Sequence, residues 1–155
     1  GGVTNYGVIH SEYSKYIGHT ASLDEMRNMP MDHVRDIYRT KYWHAINLSL
    51  IEHKNVAIAL FDRAVLNGLG GVSKFVRTIM AKPETGRVGF GEFMGEINQT
   101  NPIHFVMLLA DQCEAQHRAR VASRPDQAVF LAGWLNRVNK MRRELGDGTS
   151  GLVDV

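Results

Sequence analysis

Apolar residues recur at helical spacing through almost the whole chain, and this periodicity limits the possible folds more than any other feature. The spacing predicts helices over residues 8–17, 31–43, 55–66, 72–79, 90–97, 102–122 and from 125 onward. Only the first seven residues have strand and turn character. The sequence therefore predicts a compact all-α domain with a small β ribbon at its N-terminus.

Capping and breaking residues divide the predicted helices. Gly18 ends the first one, and Ser22 with Glu25 fits a capping box that starts the next. The run 67–71, which holds three glycines, is expected to break the central helix. We expect one domain over residues 1–145, divided functionally into 1–80 and 81–145, and a flexible tail over 146–155.

The opening residues are typical of a turn between two short strands. Glycine tolerates positive φ, asparagine tolerates the left-handed region, and valine, threonine and tyrosine favour strands. The segment reads Gly1-Gly2-Val3-Thr4-Asn5-Tyr6-Gly7, with no methionine before it. We expect that further residues precede this turn in the native protein.

Composition excludes several classes of protein. The formal net charge of +2 is too small to favour nucleic acid as a partner, although it is compatible with an anionic wall polymer. No run of about 18 apolar residues is present, so we do not expect an integral membrane protein. Cys113 is the only cysteine and lies in an apolar helical pattern, which indicates a packed, inert thiol.

Several kinds of catalytic or cofactor site find no support in the motifs. The seven histidines form no HExxH pattern, no GxSxG nucleophile elbow is present, and the glycines at 68–71 lack the strand and lysine of a phosphate loop. We therefore expect no metal and no cofactor. The histidines are His10, His19, His33, His44, His53, His104 and His117.

Three N-terminal segments, in order and spacing, resemble the family 108 glycoside hydrolases, which are phage and bacterial muramidases with a lysozyme-like fold. They are residues 1–8, 34–43 and 59–68. The C-terminal half resembles the predicted peptidoglycan-binding region of the same family through residues 118–120, 124–128 and 130–138. The resemblance implies a lysozyme-like enzyme that cleaves the β-1,4 bond between N-acetylmuramic acid and N-acetylglucosamine.

The chain departs from the family pattern at the catalytic acid. In the family this glutamate belongs to a Glu-Gly-Gly-Tyr motif that precedes the ribbon, and no position here matches it. By comparison with related phage-type lysozymes, Thr4 is similar to the site threonine. A threonine hydroxyl can hold a water but cannot protonate a leaving group at neutral pH, so we expect the 155-residue chain to bind glycan and barely cut it.

Further candidate residues come with alternatives. Asn5, Tyr6, Asp62 and Asn67 are candidate substrate-binding residues, but Asp62 also fits a buried acid bonded to Arg63, a backbone amide or a tyrosine, and Asn67 fits a helix C-cap. Glu12 or Asp62 could be a relocated acid, whereas a surface charge is the simpler interpretation of Glu12. Aromatic side chains that could contact sugars or pack in the core are Tyr6, Tyr42, Trp43 and Trp134. A basic face that is either solvated or meets a wall polymer or partner protein comprises Arg118, Arg120, Arg124, Arg137, Lys140, Arg142 and Arg143.

The resemblance also implies where the protein acts and with what. A phage or bacterial lytic protein would be made in the cytoplasm and act on peptidoglycan strands in the periplasm and cell wall, or from a phage virion. Phage structural proteins are then possible partners. The alternative is a non-catalytic structural or glycan-binding module of a phage tail or assembly that kept the fold without the acid.

Overall fold

The computed structural model describes residues 3–146 and divides the chain into two units, Gly1–Ala45 and Ile46–Val155. Apart from one two-stranded ribbon, the elements of the described residues are helical. The prediction of an all-α fold with a small N-terminal ribbon is thereby confirmed. The functional division at residue 80 stays a prediction, and 147–155 of the predicted tail lie outside the described residues.

The first unit holds the ribbon and three short α-helices. Strands β1 (Thr4–Asn5) and β2 (Val8–Ile9) pair antiparallel, with Thr4 opposite Ile9. Helices α1 (His10–Ile17), α2 (Leu23–Arg27) and α3 (Met31–Tyr38) follow, and a π-helical turn (Arg39–His44) continues α3. They enclose a small buried core of Val8, Tyr13, Ala21, Met26, Met29, Val34 and Ile37.

Local sequence signals explain most boundaries in this unit. Gly18 caps α1 with φ 82°, and the Ser22–Glu25 capping box forms with both of its hydrogen bonds. The predicted start of a helix at Val8 is wrong, because Val8 and Ile9 pair with β1. Tyr6 and Gly7 both have positive φ, 52° and 76°, which is the pattern of a type I′ hairpin turn.

The second unit is built on three long helices. After a 3₁₀ turn (Leu48–Leu50) come α4 (Lys54–Ile79), a 3₁₀ turn (Gly91–Phe93), α5 (Met94–Gln99) and α6 (Pro102–Ser123). A 3₁₀ turn (Pro125–Phe130) then leads into α7 (Leu131–Glu144). Helix α6 packs against both α4 and α7. Fully buried side chains of this unit include Leu60, Ala64, Val72, Val76, Phe90, Phe105, Leu109 and Val138.

The predicted break of the central helix reduces to one residue. Gly68 has φ 79° and ψ 165° inside α4, and the helix resumes after it. The other glycines of the run, Gly70 and Gly71, lie in helix, because packing of both flanking segments overrides their low helix propensity. The break at residue 68 is therefore confirmed, whereas the loop over 67–71 is wrong.

Helix α4 is the one described helix whose length and composition would allow it to cross a membrane. Of its most apolar 18-residue window, 44% is buried inside the structure, as expected also of the core helix of a soluble protein. A span needs about 20 continuous helical residues, and Gly68 interrupts α4 before that length is reached. The length and composition of α4 are therefore weak evidence for a membrane span. They are consistent with the expectation that the chain is not an integral membrane protein.

Candidate functional site

The ribbon presents Thr4 at the surface of the first unit. Thr4 is exposed on β1, and the neighbouring Val3 carbonyl accepts a hydrogen bond from the His10 backbone N–H at 3.0 Å. This bond ties the entry of the ribbon to the first turn of α1. The backbone that carries the threonine hydroxyl is therefore held in place by pairing with β2 and by the bond between Val3 and His10.

Asn5 anchors the ribbon to the end of α2. Its side-chain Nδ2 donates to the Met26 carbonyl at 2.8 Å and to the Arg27 carbonyl at 3.4 Å. These bonds satisfy carbonyls that the end of a helix leaves without helical partners. Asn5 thus has a structural task, and its predicted role in binding substrate stays a prediction.

Tyr6 sits at the tip of the hairpin turn with its ring in solvent. The side chain is 53% exposed, and its backbone carbonyl accepts a hydrogen bond from Tyr38 Oη at 2.6 Å. A Cβ added at Gly7 would lie 2.6 Å from the same Tyr38 oxygen. Tyr38 therefore fixes the turn in place, and the role of Tyr6 in binding substrate stays a prediction.

A small surface cavity opens beside Thr4. It has a volume of about 230 Å³ and is lined by Val3, Thr4, Asn5, Met26 and Arg27. The lining has one hydroxyl, one amide and one guanidinium, and no carboxylate. This cavity can hold a water or a polar substituent of a sugar against Thr4, but its own lining supplies no acid.

Two carboxylates of the first unit, Glu25 and Glu12, are engaged elsewhere. The Ser22 backbone N–H, and then the His19 ring, hold the pKa of the Glu25 carboxyl below its usual value. Glu12 accepts a hydrogen bond from Lys41 Nζ at 2.8 Å, at the edge of a separate groove of about 420 Å³. Glu25 is thus unsuited to donate a proton at neutral pH, and Glu12 does not line the cavity at Thr4.

Asp62 lies on α4 in the second unit as half of an ion pair. Its Oδ2 accepts from Arg63 Nη2 at 2.7 Å and from Arg63 Nε at 3.1 Å. The Arg63 side chain is 1% exposed, whereas that of Asp62 is 39% exposed. The structure therefore shows the pairing with Arg63, whereas the predicted burial of Asp62 is wrong, and a role in binding sugar stays a prediction.

Asn67 lies five positions farther along α4 and links two helices. Its Nδ2 donates to Gln116 Oε1 on α6 at 2.9 Å, while its Oδ1 is buried without a partner among residues 3–146. Asn67 precedes Gly68, where α4 is interrupted. Its amide thus joins α4 to α6 at the interruption, and a role for it in recognising an N-acetyl group stays a prediction.

The cysteine side chain is buried, as its apolar helical pattern in the sequence predicts. Cys113 is fully buried on α6, and desolvation raises the pKa of its thiol above the usual value. A buried neutral thiol is a weak nucleophile and a weak metal ligand. Within the described part of the chain, no three histidine, cysteine or acidic side chains form a group that could hold a metal ion.

Two arrangements that sequence reasoning missed are aromatic. Trp134 on α7 stacks on His117 of α6 at a centroid distance of 5.0 Å and lies 5.8 Å from Phe130. The spacing of Phe130 and Trp134 by four residues, on one helical face, could have indicated half of this cluster. The bond between Tyr38 and the turn had no sequence signal, because 32 residues separate its partners.

Part of the predicted basic face forms a network of ion pairs. Arg142 reaches Asp111 at 2.7 Å and Glu114 at 2.8 Å, and Glu114 also accepts from Arg118 at 2.9 Å. These arginines hold the pKa of the Glu114 carboxyl below its usual value. Ion pairs within the protein therefore account for Arg118 and Arg142, and neither requires a wall polymer or a partner protein.

One solved structure resembles this chain over most of its length. The structure is similar to the solved structure of SagA from Brucella abortus, with a TM-score of 0.70 and 21% identity over 92% of this chain and 78% of that chain. At that identity the likeness shows the fold alone. No curated protein sequence matches the chain.

A family model gives the more specific finding. The glycosyl hydrolase 108 model matches residues 1–68, which include the whole first unit and α4 up to its interruption. The resemblance of the C-terminal half lies outside that match and stays a prediction. At family level the match supports a glycoside hydrolase. Residues 1–68 of this chain thus match the glycosyl hydrolase 108 model, and the fold is similar to that of SagA.

Proposed function

We propose that the protein is a muramidase that hydrolyses the β-1,4 bond between N-acetylmuramic acid and N-acetylglucosamine in peptidoglycan. The observation that carries this proposal is the ribbon. A segment that matches glycosyl hydrolase 108 folds into a hairpin with Thr4 exposed at a polar cavity and the Tyr6 ring in solvent. Peptidoglycan strands are the substrate, and no cofactor is required.

Thr4 would act as a positioning residue for the attacking water. Glycoside hydrolysis needs a carboxylic acid at the leaving oxygen and a nucleophile or water at the anomeric carbon. A threonine hydroxyl both donates and accepts hydrogen bonds, so it can orient a water in the adjacent cavity. Beside it, the exposed Tyr6 ring offers an apolar face to a sugar ring.

The general acid lies outside the cavity beside Thr4 in this proposal. None of its five lining residues is acidic, and Glu25 is held ionised by its capping bonds. The family resemblance implies a glutamate that precedes the ribbon. We therefore expect clearing activity from a protein that includes such a glutamate, and little from residues 1–155 alone.

The test is a turbidity assay on a peptidoglycan suspension, with mass spectrometry of the released fragments. Residues 1–155 are compared with the protein extended by whatever its gene encodes before Gly1. Fragments with muramic acid at the reducing end support the proposal, and absence of fragments from both forms contradicts it. If residues 1–155 alone clear the suspension at a lysozyme-like rate, Asp62→Asn and Glu12→Gln decide which carboxylate is the acid.

The role of Thr4 has its own matched pair of variants. In the active form, Thr4→Val should lower the clearing rate roughly ten- to a hundredfold, because a misplaced reactant costs up to about that factor, whereas Thr4→Ser should keep most of it. Thr20→Val changes another exposed threonine of the same unit and should leave the rate unchanged. Equal rates for Thr4→Val and Thr20→Val would remove Thr4 from the mechanism.

A second candidate function is a glycan-binding module without catalysis. The absence of a carboxylate from the lining of the cavity beside Thr4 favours it. This module would sediment with peptidoglycan yet release no fragments, even from the extended form. In that case a structural role in a phage tail or assembly would explain the fold.

The site of action is proposed from the same resemblance. We place the protein on the wall side of a bacterium, in the periplasm or carried by a phage virion, after synthesis in the cytoplasm. Cell fractionation and analysis of purified virions would test this. Recovery only in the cytoplasm of intact cells would contradict it.

A further inference from the structure

The corner between α6 and α7 exposes apolar side chains that the proposed function does not use. The 3₁₀ turn Pro125–Phe130 forms this corner, and every residue in it except Gln127 is exposed. Val129 is 77% exposed and Phe130 is 55% exposed. We call Pro125, Ala128, Val129 and Phe130 the apolar tip.

Arginines precede and follow the apolar tip in the sequence. From Ala115 to Arg137 the chain has four arginines and one acidic residue, Asp126. Arg124 pairs with Asp126 at 3.5 Å and Arg118 with Glu114 at 2.9 Å, both on exposed side chains or nearly so. Such exposed pairs are weak and can exchange for other anions. The tip thus combines solvent-exposed hydrocarbon with an excess of positive charge.

Trp134 lies next to Phe130 of this tip, with 5.8 Å between the ring centroids, and is already in contact with protein. Its indole stacks on His117 with an angle of 22° between the rings, and the Arg120 guanidinium lies 5.9 Å from the indole centroid. Val129, the most exposed side chain here, is aliphatic and offers no ring on which a sugar could stack. Val129 and the exposed Phe130 are both apolar, so together they fit insertion into hydrocarbon.

We infer that the apolar tip is a docking surface for an anionic lipid bilayer. Peripheral membrane binding combines shallow burial of apolar side chains with attraction of basic residues to anionic headgroups. Val129 and Phe130 are the inserting groups, Arg120, Arg124 and Arg137 meet the headgroups, and Trp134 lies at the interfacial level that tryptophan favours. The contact is reversible and salt-sensitive, and it would hold the protein at a membrane surface beside its polymer substrate.

Vesicle sedimentation of the 155-residue chain tests this. Vesicles of phosphatidylcholine alone are compared with an equal mixture of phosphatidylcholine and phosphatidylglycerol. We expect binding to the anionic vesicles, weakened several-fold when the salt is raised to about 0.5 M. The double variant Val129→Ser/Phe130→Ser should lower the partition coefficient by about tenfold or more.

Matched variants separate insertion from general surface effects. Leu50→Ser/Val88→Ser removes two side chains that are 60% and 56% exposed elsewhere in the same unit, and it should bind vesicles like the parent. Arg124→Gln/Arg137→Gln should lose the preference for phosphatidylglycerol. Circular dichroism checks that each variant is folded.

Three outcomes would overturn the inference. One is that the parent chain binds neither kind of vesicle. Another is that the tip variant binds vesicles normally but loses sedimentation with peptidoglycan, which would make the tip a glycan surface. The third is a dimer in analytical ultracentrifugation that the tip variant abolishes, which would assign the tip to self-association.

Discussion

The two units of the chain are stabilised by different chemistry. In the first unit, a small core is supplemented by side chains that hydrogen-bond to distant backbone. Asn5 reaches the Met26 carbonyl, Tyr38 the Tyr6 carbonyl and His10 the Ala21 carbonyl, all at 2.6–2.8 Å. The short helices of this unit pack little against one another. Its ribbon therefore depends on individual hydrogen bonds.

The second unit depends on packed volume instead. Helix α6 lies against α4 and α7, and Leu60, Phe105 and Leu109 are fully excluded from solvent. Its polar interior is limited to a few groups, including Arg63 and Arg77, which each reach an acidic side chain at 2.7 Å. Substitutions that remove buried side-chain volume should therefore be most costly in the second unit. Substitutions that disturb backbone conformation or a hydrogen bond to the backbone should be most costly in the first.

The largest effect should come from emptying the core of the second unit. Phe105→Ala removes a fully buried ring from α6 and should lower the free energy of unfolding by about 3–5 kcal/mol, measured by urea denaturation. Ile103→Ala on the same helix, at a side chain 40% exposed, is the control and should cost far less. Equal costs would show that packed volume does not dominate this unit.

The next effect concerns the buried arginine of α4. Asp62→Asn leaves the Arg63 guanidinium, 1% exposed, without its carboxylate. Breaking a fully buried ion pair costs about 3–5 kcal/mol, and the partial exposure of Asp62 reduces the expected loss to about 2–3 kcal/mol.

The ion pair between Asp111 on α6 and Arg142 on α7 provides a control variant in which a carboxylate charge is lost at the surface. Asp111→Asn breaks the bond to Arg142, in which the Asp111 side chain is 62% exposed, and should cost less than about 1 kcal/mol. Should Asp62→Asn prove as mild as Asp111→Asn while abolishing peptidoglycan clearing, Asp62 would be catalytic rather than structural.

Much of the fold could be predicted because local signals and packing agree. The helical periodicity, the Ser22–Glu25 box and the glycine at position 18 all act over a few residues, and each appears as predicted. The prediction failed at Val8 and at Gly70 and Gly71. There, pairing with β1 and packing of α4 decide the conformation, and neither can be seen in a short window of sequence.

The candidate site was less predictable, since it depends on partners far apart in sequence. The exposed position of Thr4 follows from the hairpin pattern. The capture of the Asn5 amide by the end of α2 does not, because the two are 21 residues apart. The pairing of Asp62 with Arg63 could be expected as one of two interpretations, but only the structure gives the burial of the arginine that makes it structural.

Geometry in the first unit can be tested at the hairpin turn. Gly7→Ala puts a Cβ at 2.6 Å from Tyr38 Oη and on a backbone with φ 76°, so it should cost about 1–3 kcal/mol and displace Tyr38. Gly18→Ala carries a similar φ of 82° with no heavy atom within 4 Å of the added Cβ, and it measures the backbone strain alone.

The readout is hydrogen exchange of the His10 amide, which bonds to the Val3 carbonyl across the ribbon. Faster exchange in Gly7→Ala than in Gly18→Ala would assign the difference to the Tyr38 contact. Tyr38→Phe, which removes only the hydroxyl, should reproduce part of that increase. If all three variants exchange like the parent, the ribbon does not depend on this bond.

The smallest effect should be a pH dependence that arises in the second unit. Burial, and then the charges of Arg63 and Arg120, lower the pKa of His117 below its usual value. The folded state therefore resists protonation, while the unfolded histidine takes up a proton near its ordinary pKa of about 6.5. The stability that depends on neutral His117 is present above that pH and is lost as the pH falls below it.

Thermal unfolding between neutral and mildly acidic pH can measure this loss. His117→Gln should make Tm depend less on pH than in the parent, whereas His104→Gln removes an exposed imidazole from the same helix as the control. An unchanged pH dependence in His117→Gln would show that the stack on Trp134 tolerates the charge. Burial between α6 and α7 would then not be what makes a charged His117 unfavourable, and the contrast between the two units would have to be revised.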